Sequence, residues 1–141
     1  MRVAGLEYTL VGWCKHKWIL YKEDELIALL RDVCEVAGMR PMVEISVNVD
    51  LQLEKLETER FEDEGGASAS VILSTSHANI HGWPKRDSSR TDGGFFWFTI
   101  GSCREFNHRE IYKLLDSRLG ITSAESFKRE IKVPVQIPLG S

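Results

Sequence analysis

The chain has 141 residues, of which 43% are apolar and 28% charged, with a formal net charge of -3. This is the composition of one soluble globular domain with enough apolar side chains for a single core. It shows no basic excess of the kind that binds nucleic acid or an anionic membrane, and no apolar run approaches the length of a bilayer span. In chain order, Leu6 to Trp13 (LEYTLVGW) reads as a first strand, ended by the Cys-Lys-His-Lys cluster that follows it. Glu23 to Ala37 reads as a helix. Leu26, Leu29, Leu30, Val33, Val36 and Ala37 recur at three- and four-residue steps and form one apolar face. Glu23, Asp24 and Glu25 suit its electropositive start, and Gly38 suits its end.

From Met42 to Leu51 the pattern changes to strict alternation. Val43, Ile45, Val47, Val49 and Leu51 fall on one side, and Glu44, Ser46, Asn48 and Asp50 on the other, which predicts a half-buried strand. Gln52 to Gly66 is acidic and polar and reads as a solvated connection. Ala67–Thr75 and His77–Trp83 read as strand on either side of Ser76. Pro84 to Gly94 is a charged loop. Phe95 to Ile100 (FFWFTI) is apolar on both faces and so predicts a central strand. Asn107 to Leu119 reads as a second helix with Ile111, Leu114, Leu115 and Leu119 on its buried face, closed by Gly120. Phe127 to Val133 alternates and makes a last strand, followed by a tail with two prolines.

The order β-α-β-β-β-β-α-β, with short connections between consecutive strands, predicts an α+β fold. The expected form is a two-layer α/β sandwich, an antiparallel sheet with both helices on one face. Residues 1–133 are expected to form one domain and 134–141 an extended tail. Cys14, Cys34 and Cys103 are odd in number, widely spaced and form no CxxC pair, so neither a zinc site nor a disulfide framework is indicated. The first residues lack the basic-then-apolar pattern of a secretory signal, and a reducing cytoplasm is the expected location.

The chemistry concentrates in Ser74 to Pro84 (STSHANIHGWP). His77 and His81 stand four apart on one strand face, but no third ligand is in view, and metal binding is set aside. No G-x-S-x-G turn surrounds Ser76, which argues against a hydrolase triad. Taken whole, SHANIHGWP resembles the cleavage-site segment of the bacterial and archaeal S-adenosylmethionine decarboxylases. Ser76, His77, Ile80, His81, Trp83 and Pro84 fall at that family's spacing. FTIGS at Phe98–Ser102 is similar to the family's Phe-Thr-Cys-Gly strand end, and the opening strand, helix and alternating strand match its first half.

The resemblance implies a pyruvoyl-dependent enzyme of polyamine synthesis that makes its own cofactor and needs no metal. The Ser76 hydroxyl attacks the Thr75 carbonyl and turns an amide into an ester. Loss of the Ser76 Cα proton eliminates that ester, and the dehydroalanine left behind hydrolyses to a pyruvoyl group at the new N-terminus. That group forms a Schiff base with the substrate amine and acts as an electron sink during loss of the carboxylate. By the same resemblance, Ser76 is the precursor, Thr75–Ser76 the cleaved bond, His81 the histidine that assists elimination close to that bond, and Ser68 a serine that supports processing. In its Ala-Ser-Ala-Ser setting Ser68 also reads as an ordinary small strand residue.

Two positions depart from the pattern. Thr75 stands where the family has Glu, and Ile100 stands where it has the cysteine that returns a proton to the decarboxylated carbon. Cys103, three residues on, is the candidate replacement; read by itself it is a small thiol. Tyr8, Trp13, Phe95 and Trp97 are candidate faces for an adenine ring, although most aromatics in strands belong to the core. The resemblance also implies a homodimer or larger homo-oligomer. Three readings follow: a decarboxylase of S-adenosylmethionine, the same fold acting on another amino acid such as ornithine or arginine, or an unprocessed homologue that binds a ligand or partner.

Overall fold

The computed structural model describes residues 3–48, 65–84, 86–87, 89–90 and 92–134. Among these residues, six strands and two helices occur in the order β1 (Val3–Cys14), α1 (Glu23–Val36), β2 (Pro41–Asn48), β3 (Ala67–Leu73), β4 (Ser76–Trp83), β5 (Gly94–Ser102), α2 (His108–Leu119) and β6 (Ile121–Lys132), with a short 3-10 turn at Lys17–Tyr21. The sheet order is β2-β3-β4-β5-β1-β6, and every neighbouring pair is antiparallel. This is the expected two-layer sandwich.

Alternation along each strand divides the sheet into two faces. Tyr8, Leu10, Val71, Ala78, Ile80, Phe96, Phe98 and Ile100 are buried on one face, where Leu26, Leu29, Leu30 and Val33 of α1 and Ile111, Leu115 and Leu119 of α2 meet them. The apolar steps read from the sequence are therefore the core-facing stripes, with Cys34 buried and Val36 left 42% exposed. The ends of α2 are defined by named groups. The Asn107 side chain accepts from the backbone N–H of Arg109 and Glu110, satisfying two donors of the first turn of α2. Gly120 ends that helix at φ 65°, in the left-handed region that glycine adopts without strain. Asp32 of α1 and Arg118 of α2 join the helices in an ion pair.

The structure corrects two sequence expectations. The last strand begins at Ile121 directly after Gly120, six residues earlier than Phe127. It is an exposed edge strand, so Ile121–Ser126 carry none of the burial pattern that reveals a strand in sequence. β2 is described to Asn48, and Val49 and Leu51 lie outside the described residues, as do the connection at 52–64 and the tail from 135. The second correction concerns which side of β2 faces the core. Val43, Ile45 and Val47 are 50%, 63% and 36% exposed on the face away from the helices. Glu44 and Ser46 instead turn toward α1, where Glu44 pairs with Arg31 and Ser46 donates to Glu23. At this sheet edge the helix offers charged partners, and β2 presents its polar side to them.

Candidate active site

Among the described residues, no layer covers the second face of the sheet. Its side chains form rows across the strands, read directly from the register. One row runs Val47, Ser68, His81, Trp97, Val11, and another Ile45, Ser70, Asn79, Thr99, Thr9, Phe127. A third joins Ile72, His77, Gly101, Glu7 and Arg129.

Ser76 opens β4 after a two-residue turn from β3, and it pairs across to Ser102 at the end of β5. Its Oγ lies 3.2 Å from Nδ1 of His77. The His77 ring lies over Gly101: a Cβ built there falls 3.2 Å from Cε1 and 3.7 Å from the Ser76 Oγ. The glycine thus leaves the space that the ring and the hydroxyl share. On the other side of the bond to Ser76, the Thr75 carbonyl accepts from the backbone N–H of Cys103 at 3.4 Å. The Thr75 hydroxyl is 3.1 Å from the Ser102 hydroxyl, which in turn accepts from the Arg104 N–H at 3.0 Å. A cavity of about 310 Å³ opens here, lined by Glu7, Thr75, Ser76, His77, Gly101 and Cys103 among others.

His81 and Ser68 are a directly opposed pair on β4 and β3, with His81 Nδ1 2.9 Å from the Ser68 Oγ. Partial burial holds the His81 pKa below the usual histidine value, which favours the neutral ring. The structure therefore brings these two residues together, but not to Ser76 of the same chain. Five residues of extended strand separate His81 from Ser76, about 17 Å at the usual rise. The expectation that sequence spacing alone sets His81 beside the cleaved bond is corrected: on a strand, spacing is distance.

The remaining candidates sort by face. Tyr8 is 2% exposed on the helix side of the sheet, its ring 5.3 Å from that of His108, so it is part of the core and does not offer a free stacking face. Trp97 is 48% exposed beside His81, with ring centroids 5.9 Å apart. Trp13 and Phe95 meet at 5.5 Å, and Trp83, a member of the sequence motif but not one of the candidate stacking faces, joins them 5.4 Å from Phe95. The Arg86 and Arg90 guanidinium groups lie over Trp83 and Trp13. A larger cleft of about 430 Å³ borders Trp13 and Phe95. It stands at the far end of the strands from Ser76, whereas the smaller cavity is bordered by Ser76 and His77. Ile100 is fully buried on the helix side, whereas Cys103 is exposed and lines the Ser76 cavity. Among the described residues no group of three or more His, Cys, Asp and Glu side chains stands close enough together to hold a metal ion. No helix among them is long and apolar enough to cross a membrane.

Ser76 thus stands at the start of an inner strand of an α+β sandwich, with a histidine against its hydroxyl and a hydrogen-bonded carbonyl before it. The family model described as S-adenosylmethionine decarboxylase matches residues 12–130, and the chain belongs to that family. Its fold is that of the adenosylmethionine decarboxylase from Aquifex aeolicus VF5, with a TM-score of 0.70, 14% identity and 98% of both chains covered. No curated protein sequence gives a significant match. Membership makes the chain one of a family of decarboxylases, a class of lyases.

Proposed function

We propose that the chain is a pyruvoyl-dependent decarboxylase of S-adenosylmethionine, serving polyamine synthesis, that forms its prosthetic group by cleaving itself between Thr75 and Ser76. The observation that carries this reading is the Ser76 hydroxyl, set in a cavity beside the Thr75 carbonyl that it would attack. The residues present fit such a group: Ser76 is half-buried, and Gly101 leaves room across the strand. When formed, the keto group supplies an electrophile for the substrate amine and an electron sink for the departing carboxylate. Cys103 borders the same cavity and is the group on this chain suited to return a proton to the decarboxylated carbon. Trp97, Trp83, Phe95 and Trp13 lie toward the end of the strands away from Ser76, and in this reading they serve an adenine ring where a second copy, its strands reversed, carries them over the Ser76 end.

The working unit in this reading is a homodimer formed through the sheet face that no described residue covers. Val43, Ile45, Ile72, Trp97, Phe127 and Ile131 are all more than a third exposed, and the strand registers place them on that face. A two-fold axis along the row of Ile45, Asn79 and Thr99 would reverse the strands of a second copy. That operation sets the His81–Ser68 pair of the partner subunit over the Ser76 end of β4. It supplies the elimination histidine that a single chain holds about 17 Å away. The reading also takes 1–133 as one domain, with 134–141 as a tail, and a reducing cytoplasm as its setting. The free Cys14, Cys34 and Cys103 are compatible with that setting.

A second reading is favoured by one pair of observations. Thr75 replaces the family's glutamate, and Ile100 in place of its cysteine is sealed in the core, as an unprocessed homologue would tolerate. Intact-mass measurement separates the two. Fragments meeting at the 75/76 bond, the second blocked by a ketone, support self-processing; a single full-length mass after long incubation refutes it. Carbon dioxide release from S-adenosylmethionine, ornithine and arginine then tests the substrate. Ser76→Ala abolishes both cleavage and turnover, and unchanged turnover would remove the assignment.

A further inference from the structure

His77 has no role in the reading so far, yet it is the side chain that touches the reacting hydroxyl. We infer that His77 is the base that starts self-cleavage, and that the Cys103 backbone N–H holds the charge developing on the Thr75 oxygen. This inference rests on the self-processing reading above and assigns the residues of its first step.

Three observations carry it. The Ser76 Oγ is 3.2 Å from His77 Nδ1, so the hydroxyl donates and the ring accepts when the ring carries its proton on Nε2. The ring is held there by the surface beneath it: Gly101 is its cross-strand partner and presents no side chain. The scissile carbonyl is already engaged. Thr75 O accepts from the Cys103 N–H at 3.4 Å, and this bond strengthens as the oxygen becomes an anion. The link from the Thr75 hydroxyl to Ser102, itself tied to the Arg104 N–H, holds Thr75 in the turn, a job for which a hydroxyl of this length is suited. His81 of the same strand is about 17 Å away and cannot serve this step within the chain.

The step balances as follows. The Ser76 Oγ–H proton passes to His77 Nδ1 while Oγ bonds to the Thr75 carbonyl carbon, giving an oxyanion that faces the Cys103 N–H. The oxyanion collapses, the bond from that carbon to the Ser76 nitrogen breaks, and the proton on His77 goes to the departing nitrogen. The product is an ester between Thr75 and the Ser76 side chain with a free amine. No metal or outside reactant enters. Elimination of the ester remains with His81.

Hydroxylamine and intact mass test the assignment on the purified full chain, because hydroxylamine splits an ester and leaves the amide whole. His81→Ala is expected to accumulate the ester and to fall into two fragments only when hydroxylamine is added. His77→Ala is expected to slow the appearance of both ester and fragments roughly a hundredfold or more, with recovery on adding free imidazole. Gly101→Ala keeps the imidazole but puts a methyl 3.2 Å from its Cε1, and is expected to slow cleavage as well. A wild-type chain that splits, beside a His77→Ala chain that splits equally fast or gathers ester, overturns the role of His77 alone. A wild-type chain that never splits and never yields to hydroxylamine overturns self-processing, and this inference with it.

Discussion

Ile45→Asp tests the proposed face-to-face dimer most directly. Ile45 is 63% exposed in the chain and sits on β2 at the end of the row that would contain the two-fold axis. In a face-to-face dimer built on that axis, each Ile45 meets its own copy. Burying a whole isoleucine side chain is worth about 1.5–3 kcal/mol, and somewhat over half of that surface remains to be covered. Each copy then contributes about 1–2 kcal/mol, and the pair about 3 kcal/mol. Replacing both by carboxylates removes this and sets like charges against each other in a desolvated place. The dissociation constant is expected to rise at least ~100-fold, since 1.4 kcal/mol is about tenfold. The isolated fold should be nearly indifferent, within about 0.5 kcal/mol, because the residue is on the surface of the monomer. Sedimentation equilibrium reads the first quantity and urea unfolding at low concentration the second. A wild-type chain that stays monomeric at high micromolar concentration, or a variant that associates as tightly as wild type, refutes the face-to-face arrangement.

If the partner subunit supplies the elimination histidine, mixing Ser76→Ala with His81→Ala chains after unfolding and refolding together restores pyruvoyl formation in part of the His81→Ala chains; mass spectrometry of the mixture detects it, and unmixed controls stay unprocessed. The low His81 pKa has a definite consequence for stability. Its folded value lies below its unfolded value, so its contribution is present above the ordinary histidine pKa and is lost as pH falls through that value toward the folded one. His81→Gln should flatten the acid side of a stability-versus-pH curve, and an unchanged slope there argues against the burial of this ring. Asn107→Ala removes the acceptor for two N–H groups at the start of α2 and should cost about 1 kcal/mol by urea unfolding. Iodoacetamide under native conditions should label Cys103 and spare Cys14 and Cys34, whose thiols burial pushes up to about 12 and about 11. Equal labelling of all three would contradict the packing described.

Much of this protein is legible along the chain because period reports environment. The three-and-four steps of Leu26, Leu29, Leu30 and Val33 can be satisfied by one helical face, and the continuous apolar run at Phe95–Ile100 by a strand inside a sheet. Both took those places. The segment from Ser76 to Pro84 carried the family resemblance because its chemistry depends on particular side chains at particular spacings. Ile121–Ser126 were illegible for the opposite reason: an exposed edge strand has no buried side to write into its pattern.

What tertiary structure alone decided is which groups meet. Alternation in β2 is unmistakable in sequence, but alternation cannot say which side faces the helices, and pairing with Arg31 and Glu23 turned the polar side inward. The same holds at the site. His77 and His81 are equally plausible as letters, four apart on one strand. Only the extended backbone, with its rise of about 3.3 Å per residue, sets one against the Ser76 hydroxyl and carries the other to Ser68 at the far end. The contact between the Thr75 carbonyl and the Cys103 amide joins residues 28 apart in sequence, and it exists because β4 and β5 pair in one register. Residue types set what chemistry is available; strand pairing chose which of those residues are close enough to perform it.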